Sequence, residues 1–379
     1  MLKKITGPGL FRLFLALVVF VHHTSRLALG GAAVYVFFCL SGFWIYRMYA
    51  GRYSATRQPY FTYIVSRAWR LLPTFWLVTT LTLAFYWFNG TFSSYFSSSD
   101  RIHAIFSNLF LVGYDSLLKR PVGPGWSLDF EVQFYILAPF IVWFLARRKV
   151  PAVLTILGAA AVSAVSLLAG LQFLVTSQLI FFMLGMTAAS VDWRPAGKLS
   201  FASLAITSAV IIGCLFSPWR GILLVGAHPG PLWKYTDPTN AALAVMMTPF
   251  ALYTTRQPGF TSDGMFGDLS YIIYLLHWLG EMSLGSRPGT TMVRFINVGA
   301  AWVLVLGSSL LIWKFYDHPI NRLRAKWVAG RKAPSASAGL RQHPIESSLA
   351  GSREREGMRG PEETEIRREG TDTSRIASC

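Results

Sequence analysis

Ten apolar runs, parted by short polar segments, leave this chain few ways to fold. They fall at about 9–24, 32–50, 71–89, 127–146, 151–169, 171–190, 200–218, 240–255, 268–285 and 292–316. A helix needs about 20 apolar residues to cross hydrocarbon, fewer where neighbours shield it. Lipid offers no partner to a bare backbone amide, so such runs are expected to span as helices. The first run is short and the eighth weak. A further stretch, Ile102 to Tyr114, is too short to span and reads as an interfacial or re-entrant helix. Charged residues make up 14 % of the chain, against about 25 % in soluble domains. The aromatic share, 15 %, suits the two membrane interfaces. The expected class is an all-α integral membrane protein with about ten transmembrane helices.

The formal charge of +17 is distributed as topology. With the N-terminus in the cytoplasm, inner segments hold about 18 Lys and Arg and outer segments about 8, which obeys the positive-inside rule. An even number of spans places the C-terminus inside too, in a multi-pass protein of the inner cell membrane. Basic stretches interleaved with aromatics are missing, so the charge does not point to nucleic acid. Near Gly330 the chain changes character. Residues 1–328 form the apolar body. Residues 329–379 are rich in Ser, Gly, Glu and Arg and hold 8 of the 18 acids; they are expected to be a disordered cytoplasmic tail, since they have too little apolar surface to offset ordering. The run after Phe11 contains two His and no clear cleavage site, so it is not read as a signal peptide. Cys39, Cys214 and Cys379 give neither a disulfide framework nor a zinc spacing.

Polar residues inside the apolar body each need a reason. Arg12 and His23 are eleven residues apart, close to three helical turns, so they share a face about 16 Å apart along the axis. His22 is rotated about 100° away, which favours His23 as the group sharing a pocket with Arg12. Snorkelling of Arg12 to the inner headgroups, with both His at the outer interface, fits the spacing equally. The fourth run is entered through Gly123-Pro-Gly, so Ser127 lies near its outer end and Glu131 about one turn inside. That depth resembles His23's, and a carboxylate beside an imidazole fixes its tautomer and supports it as a base. Helix-to-helix glue is the other reading. Asp129 points to a different face. Arg67 and Arg70, at i, i+3 on the inner approach to the third run, suit either phosphate binding or a positive-inside marker. His277 and Glu281, one turn apart, could form a proton relay, a substrate clamp or half a metal site; no third or fourth ligand stands out, so no metal is expected.

The order of these motifs resembles the acyltransferase-3 family of polytopic membrane O-acyltransferases. Phe11 to His23 is similar to that family's Arg, ten residues, His pattern. Phe37-Phe-Cys-Leu-Ser-Gly-Phe43, Arg67-Ala-Trp-Arg-Leu-Leu-Pro73, Trp126-Ser-Leu-Asp-Phe-Glu-Val-Gln-Phe-Tyr135 with Pro139, and Ser270-Tyr271 to His277 resemble its other motifs. The last span is followed by Asp317-His318-Pro319 where the family often has an acid and Arg-Pro. The esterase-like domain fused to some members is not seen. The resemblance covers residues 1–328 and implies a transferase moving an acyl group, usually acetyl, from acyl-CoA to a hydroxyl of a carbohydrate, lipid-linked glycan or glycosylated natural product. Acyl-CoA would be a co-substrate, with no permanently bound cofactor. His23, with Glu131, would act as base or acyl carrier; Arg12, Arg67 and Arg70 would hold the CoA phosphates; Trp126, Ser127, Tyr135 and His277 would line the acceptor. A transporter or lipid flippase would also bury His, Glu and Arg, but no internal repeat suggests inverted halves.

Overall fold

The computed structural model describes residues 7–93, 101–148, 150–225, 230–285 and 290–332. The expected disorder of the tail beyond Lys332 lies outside these. Among the described residues there are twelve α-helices: α1 (Pro8–Thr24), α2 (Gly30–Met48), α3 (Pro59–Phe88), α4 (Arg101–Phe110), α5 (Gly125–Arg148), α6 (Ala152–Leu168), α7 (Leu179–Ser190), α8 (Gly197–Leu215), α9 (Thr236–Thr254), α10 (Asp263–Gly280), α11 (Thr291–Ile312) and α12 (His318–Ala329). The only β pairing among them is two isolated bridges, Leu27–Leu224 and Thr56–Lys332. A helix stands at each of the ten apolar runs. Five stretches are long and apolar enough to cross a bilayer by length and composition: Gly30–Tyr53, Pro59–Phe88, Gly125–Arg148, Gly197–Leu215 and Thr291–Ala329. Pro8–Thr24, Ala152–Leu168 and Val175–Ser190 are apolar but shorter. The stretch from Ile102 forms α4, held to α3 by Trp76 Nε1 donating to Leu109 O at 3.0 Å. Large apolar side chains such as Phe140, Leu154, Ile206 and Leu311 face outward, as lipid contact requires.

Small residues let the central helices approach. A Cβ on Gly42 of α2 would lie 2.0 Å from Phe182 O of α7, and one on Gly185 would lie 1.8 Å from Cys39 O. These two glycines bring the α2 and α7 backbones together. Pro73 sits inside α3, and the carbonyls around the interruption find partners: Tyr271 OH donates to Leu71 O at 2.8 Å and Tyr316 OH to Pro73 O at 3.1 Å. Intramembrane proline is tolerated on that condition.

The pairing of α1 with α10 positions everything that follows. Pro8 opens α1 and has no N–H to satisfy. The next two donors, Gly9 N and Leu10 N, are taken by Asp263 Oδ2 and Oδ1 at 2.8 and 3.0 Å. Asp263 belongs to α10 and is buried. The closeness depends on Gly9, whose Cβ would lie 1.8 Å from Asp263 O. At the far end the His23 and His277 rings are 5.0 Å apart. Partners at both ends are 254 residues apart in sequence, so α1 and α10 run parallel and in step. Ser127 at the start of α5 bonds Tyr274 near the end of α10, so α5 runs the opposite way. One end of the bundle thus carries the histidines, the other Asp263 and the arginines.

The arginine end is also fastened outside the bundle core. Asp192, in the turn between α7 and α8, has φ of 49°, a left-handed conformation that Asp tolerates. Hydrogen bonds from Arg256 and Arg194 hold its carboxyl down at about 2, and Arg47 adds a contact at 3.2 Å. Arg331 lies over the rings of Trp327 and Phe61, and its carbonyl accepts from Arg57 N at 3.1 Å.

Candidate functional site

Four aromatic groups meet where α1 and α10 finish. His23 lies between the rings of His22 at 4.8 Å, His277 at 5.0 Å and Trp278 at 5.6 Å. His22 is tied off: its Nδ1 meets Leu27 O at 3.2 Å, and its ring packs on Gly30, where a Cβ would fall 2.6 Å from His22 Cδ2. His277 is fully buried. Its Nδ1 meets Ile273 O at 3.2 Å and its Nε2 has no partner. Trp278 Nε1 is likewise buried and unpartnered. Orphaned buried polar atoms are uncommon and ask for an explanation. A direct His277–Glu281 relay, one of the three readings of that pair, is not formed, because neither imidazole nitrogen of His277 bonds Glu281.

From the histidines a line of polar side chains runs through the bundle. The Tyr274 ring is 6.1 Å from His277, and its hydroxyl meets Ser127 Oγ at 2.6 Å. One turn further along α5, Glu131 Oε1 accepts from Ser41 Oγ and from Tyr135 OH, both at 2.6 Å. Arg67 lies over the Tyr135 ring at 5.8 Å and donates to Tyr53 OH at 3.4 Å. Tyr53 OH in turn meets Ser66 Oγ, which also accepts from Arg324 Nη1 at 3.1 Å.

The expected pairing of Glu131 with His23 is not what the structure shows; no contact joins them among the described residues. The loop before α5 folds inward, with Gly123 against the Trp278 ring, where a Cβ would fall 2.8 Å away. Ser127 therefore sits level with Tyr274, below the imidazoles. At 1.5 Å per residue, Glu131 lies about 10 Å nearer the arginine end than His277. The charges in reach of Arg12 are Arg70, Glu131 and Asp268. Glu131 thus faces Arg12 electrostatically rather than the histidines. Asp129 serves a different end: its carboxylate accepts from Gly113 N at 3.2 Å, Asp115 N at 2.9 Å and Gln133 Nε2 at 2.9 Å. It staples the loop ahead of α5.

The arginine end divides into paired and unpaired groups. Arg70 is held by Asp268 at 2.8 Å and Asp317 at 3.9 Å. Thr74 and Asn321 each donate to Asp317 at 2.8 Å. Arg12 Nε and Arg67 Nε are buried with no partner, and neither side chain has a carboxylate within ion-pair distance among the described residues. Guanidinium groups with spare donors have the chemistry to hold an anion. Among the described residues no three His, Cys, Asp or Glu gather as a metal-ligand set.

Trp126 lines a cavity of about 310 Å³ beside the histidines. Ser127 and Tyr135 are both on the polar line, bonded to Tyr274 and Glu131. Several members of the site were not singled out from sequence. Ser41 was visible as the polar residue in the run Phe37 to Phe43, and Asp268 as an acid nine residues before His277. Tyr274 lay inside the run Ser270 to His277, and Trp278 carried no such signal.

The acyltransferase domain model of the acyltransferase-3 family matches residues 5–315. The exopolysaccharide production protein ExoZ of Rhizobium meliloti (strain 1021) is 27 % identical over 335 residues, covering 82 % of this chain and 96 % of that protein. No solved structure matches the chain. With the motif residues Arg12, His23, Arg67, Arg70, Glu131 and His277 all inside the matched region, the chain belongs to the acyltransferase-3 family and is a multi-pass membrane acyltransferase.

Proposed function

We propose that the protein transfers an acyl group, acetyl in the first instance, from acyl-CoA to a hydroxyl of a carbohydrate or lipid-linked glycan at the inner cell membrane. ExoZ is named for exopolysaccharide production, which favours a carbohydrate acceptor. The ten apolar helices span the bilayer, both termini are cytoplasmic, and residues 1–328 carry the chemistry. The observation that carries the reading is the pair of unlike ends joined by one polar line. Spare guanidinium donors of Arg12 and Arg67 lie at one end, and an imidazole cluster with an orphaned His277 Nε2 at the other.

Arg12 and Arg67 bind the polyanionic part of the donor from the basic, cytoplasmic end. Arg70, already held by Asp268 and Asp317, fixes the α3 surface beside them. The Cα atoms of Arg12 and His23 are about 16 Å apart along α1, a gap for the flexible pantetheine arm to cover. His23 takes the proton of the acceptor hydroxyl as its oxygen bonds to the acyl carbon. The carbon–sulfur bond breaks, and the CoA thiolate leaves and takes up the proton from the imidazolium. Trp278 Nε1–H, buried and unpartnered, donates to the acyl oxygen, which gains negative charge in the transition state; His277, whose Nδ1–H goes to Ile273 O, presents a lone pair at Nε2 to the acceptor. Glu131 holds Tyr135 and Ser41 and balances Arg12, so it positions the donor channel.

Substituting Arg67 by Gln tests the donor end. It should raise the KM for acetyl-CoA at least tenfold in membranes and change the acceptor KM less than twofold. An effect confined to the acceptor would remove acyl-CoA phosphates from this site.

A further inference from the structure

The cavity beside the histidines is not used by the chemistry above. It encloses about 310 Å³ and is lined by His22, Trp126, Asp115, Gln172, Gln178 and Asp237, among others. We propose that it is the acceptor pocket, that it holds a single neutral pyranose ring, and that it rejects acidic sugars. This inference rests on the transferase reading and names the substrate class of that same enzyme.

Three observations carry it. The first is place. His22 forms part of the wall, and its ring touches His23 at 4.8 Å. A ring seated against His22 brings its reacting hydroxyl past the edge of that imidazole to the proposed base.

The second is the division of the polar groups. Asn240 in the wall is fully engaged: its amide donates to Ala28 O and Thr236 O, and its Oδ1 accepts from Ala32 N, all at 2.9 Å. It builds the wall. Gln172, Gln178 and Asp237 line the same space and their side chains have no hydrogen-bond partner among the described residues. Two amides and a carboxylate offer both acceptors and donors, which suits a ring of hydroxyls. Trp126 supplies an apolar plane for the C–H face of such a ring; it is held by Phe130 at 5.7 Å and Phe38 at 6.5 Å.

The third is charge. Among the described residues no Lys or Arg lines the cavity. Arg120, the cation near Asp115, is already bonded to it. Asp237 stands in the first turn of α9. A uronic acid or phosphorylated sugar would bring a second negative charge against Asp237, which has no ion-pair partner among the described residues. The volume is at the low end for a ligand site, which fits one ring and not an extended chain.

The test uses the full-length protein in detergent and in membranes, with methyl glucopyranoside and methyl glucuronide as matched probes. Quenching of tryptophan fluorescence should saturate with the neutral glycoside and need at least tenfold more glucuronide. Asp237→Asn should narrow that ratio at least threefold, and Gln178→Leu should weaken neutral-sugar binding about tenfold. Equal or tighter binding of the glucuronide, or unchanged binding in both variants, overturns the pocket. Transfer of labelled acetyl is read in parallel. Saturable selective binding without transfer would keep the pocket and sink the transferase reading; transfer to sugars with no selectivity in wild type would do the reverse.

Discussion

Replacing Asp263 by Ala should disturb both ends of the site through one helix. Its carboxylate accepts two backbone donors of α1, Gly9 N at 2.8 Å and Leu10 N at 3.0 Å, in a buried position. Hydrogen bonds to a charged group contribute about 1.5–3 kcal/mol each, and an orphaned buried donor carries its own penalty. Losing a helix N-cap alone costs about 0.5–2 kcal/mol. The two bonds together therefore give about 3–6 kcal/mol for Asp263→Ala. Asp263→Asn keeps one acceptor oxygen and should cost roughly half. In a large domain this corresponds to a fall in Tm of roughly 5 °C or more for the alanine variant. Because α1 and α10 are in step over their length, loosening this end lets His23 slip against His277. The alanine variant should thus lose acetyl transfer at least tenfold in kcat at a temperature where it is still folded. The assay is thermal unfolding in detergent, followed by steady-state transfer well below the transition. If Asp263→Ala melts with wild type and transfers at the wild-type rate, Asp263 does not set the register of these helices.

Two further outcomes follow from the same contacts. Glu131→Gln keeps the shape but removes the charge facing Arg12 and weakens the bonds from Ser41 and Tyr135; kcat should fall at least tenfold with the pH dependence of the imidazole step unchanged, whereas a shifted profile would return Glu131 to direct support of His23. Truncation after Lys332 should leave transfer within a few-fold of wild type in membranes, while truncation after Gly330 also removes the Arg331 clasp on Arg57, Trp327 and Phe61 and should melt earlier; loss of activity in a stable chain ending at Lys332 would give the tail a part in the chemistry.

The helices were legible because apolar runs bounded by charge have one solution in lipid. The shared face of Arg12 and His23 was legible because it depends only on helical pitch. What lay beyond reach was long-range. Asp263 caps a helix 254 residues away, and no local signal marks a cap supplied by another helix. The parallel pairing of α1 and α10, which brings His277 to His23, has the same origin. The depth of Glu131 was misjudged because it was counted from the end of its own apolar run. Gly123 allows the preceding loop to sink onto Trp278, which lowers the whole start of α5. Arg67 and Arg70 look equivalent in sequence, yet only Arg70 meets two acids, and those come from α10 and from the turn after α11.

The central claim is that the imidazole of His23, and not its neighbour, handles the acceptor proton. It is tested most directly by labelled acetyl transfer in membranes containing equal amounts of His23→Ala or His22→Ala protein. His23 lies between His22, His277 and Trp278, while His22 is bound to Leu27 O. His23→Ala should lower kcat by at least a thousandfold, and His22→Ala by less than tenfold, with both proteins inserted and folded. Retention of activity in His23→Ala, or a greater loss in His22→Ala, would contradict the account.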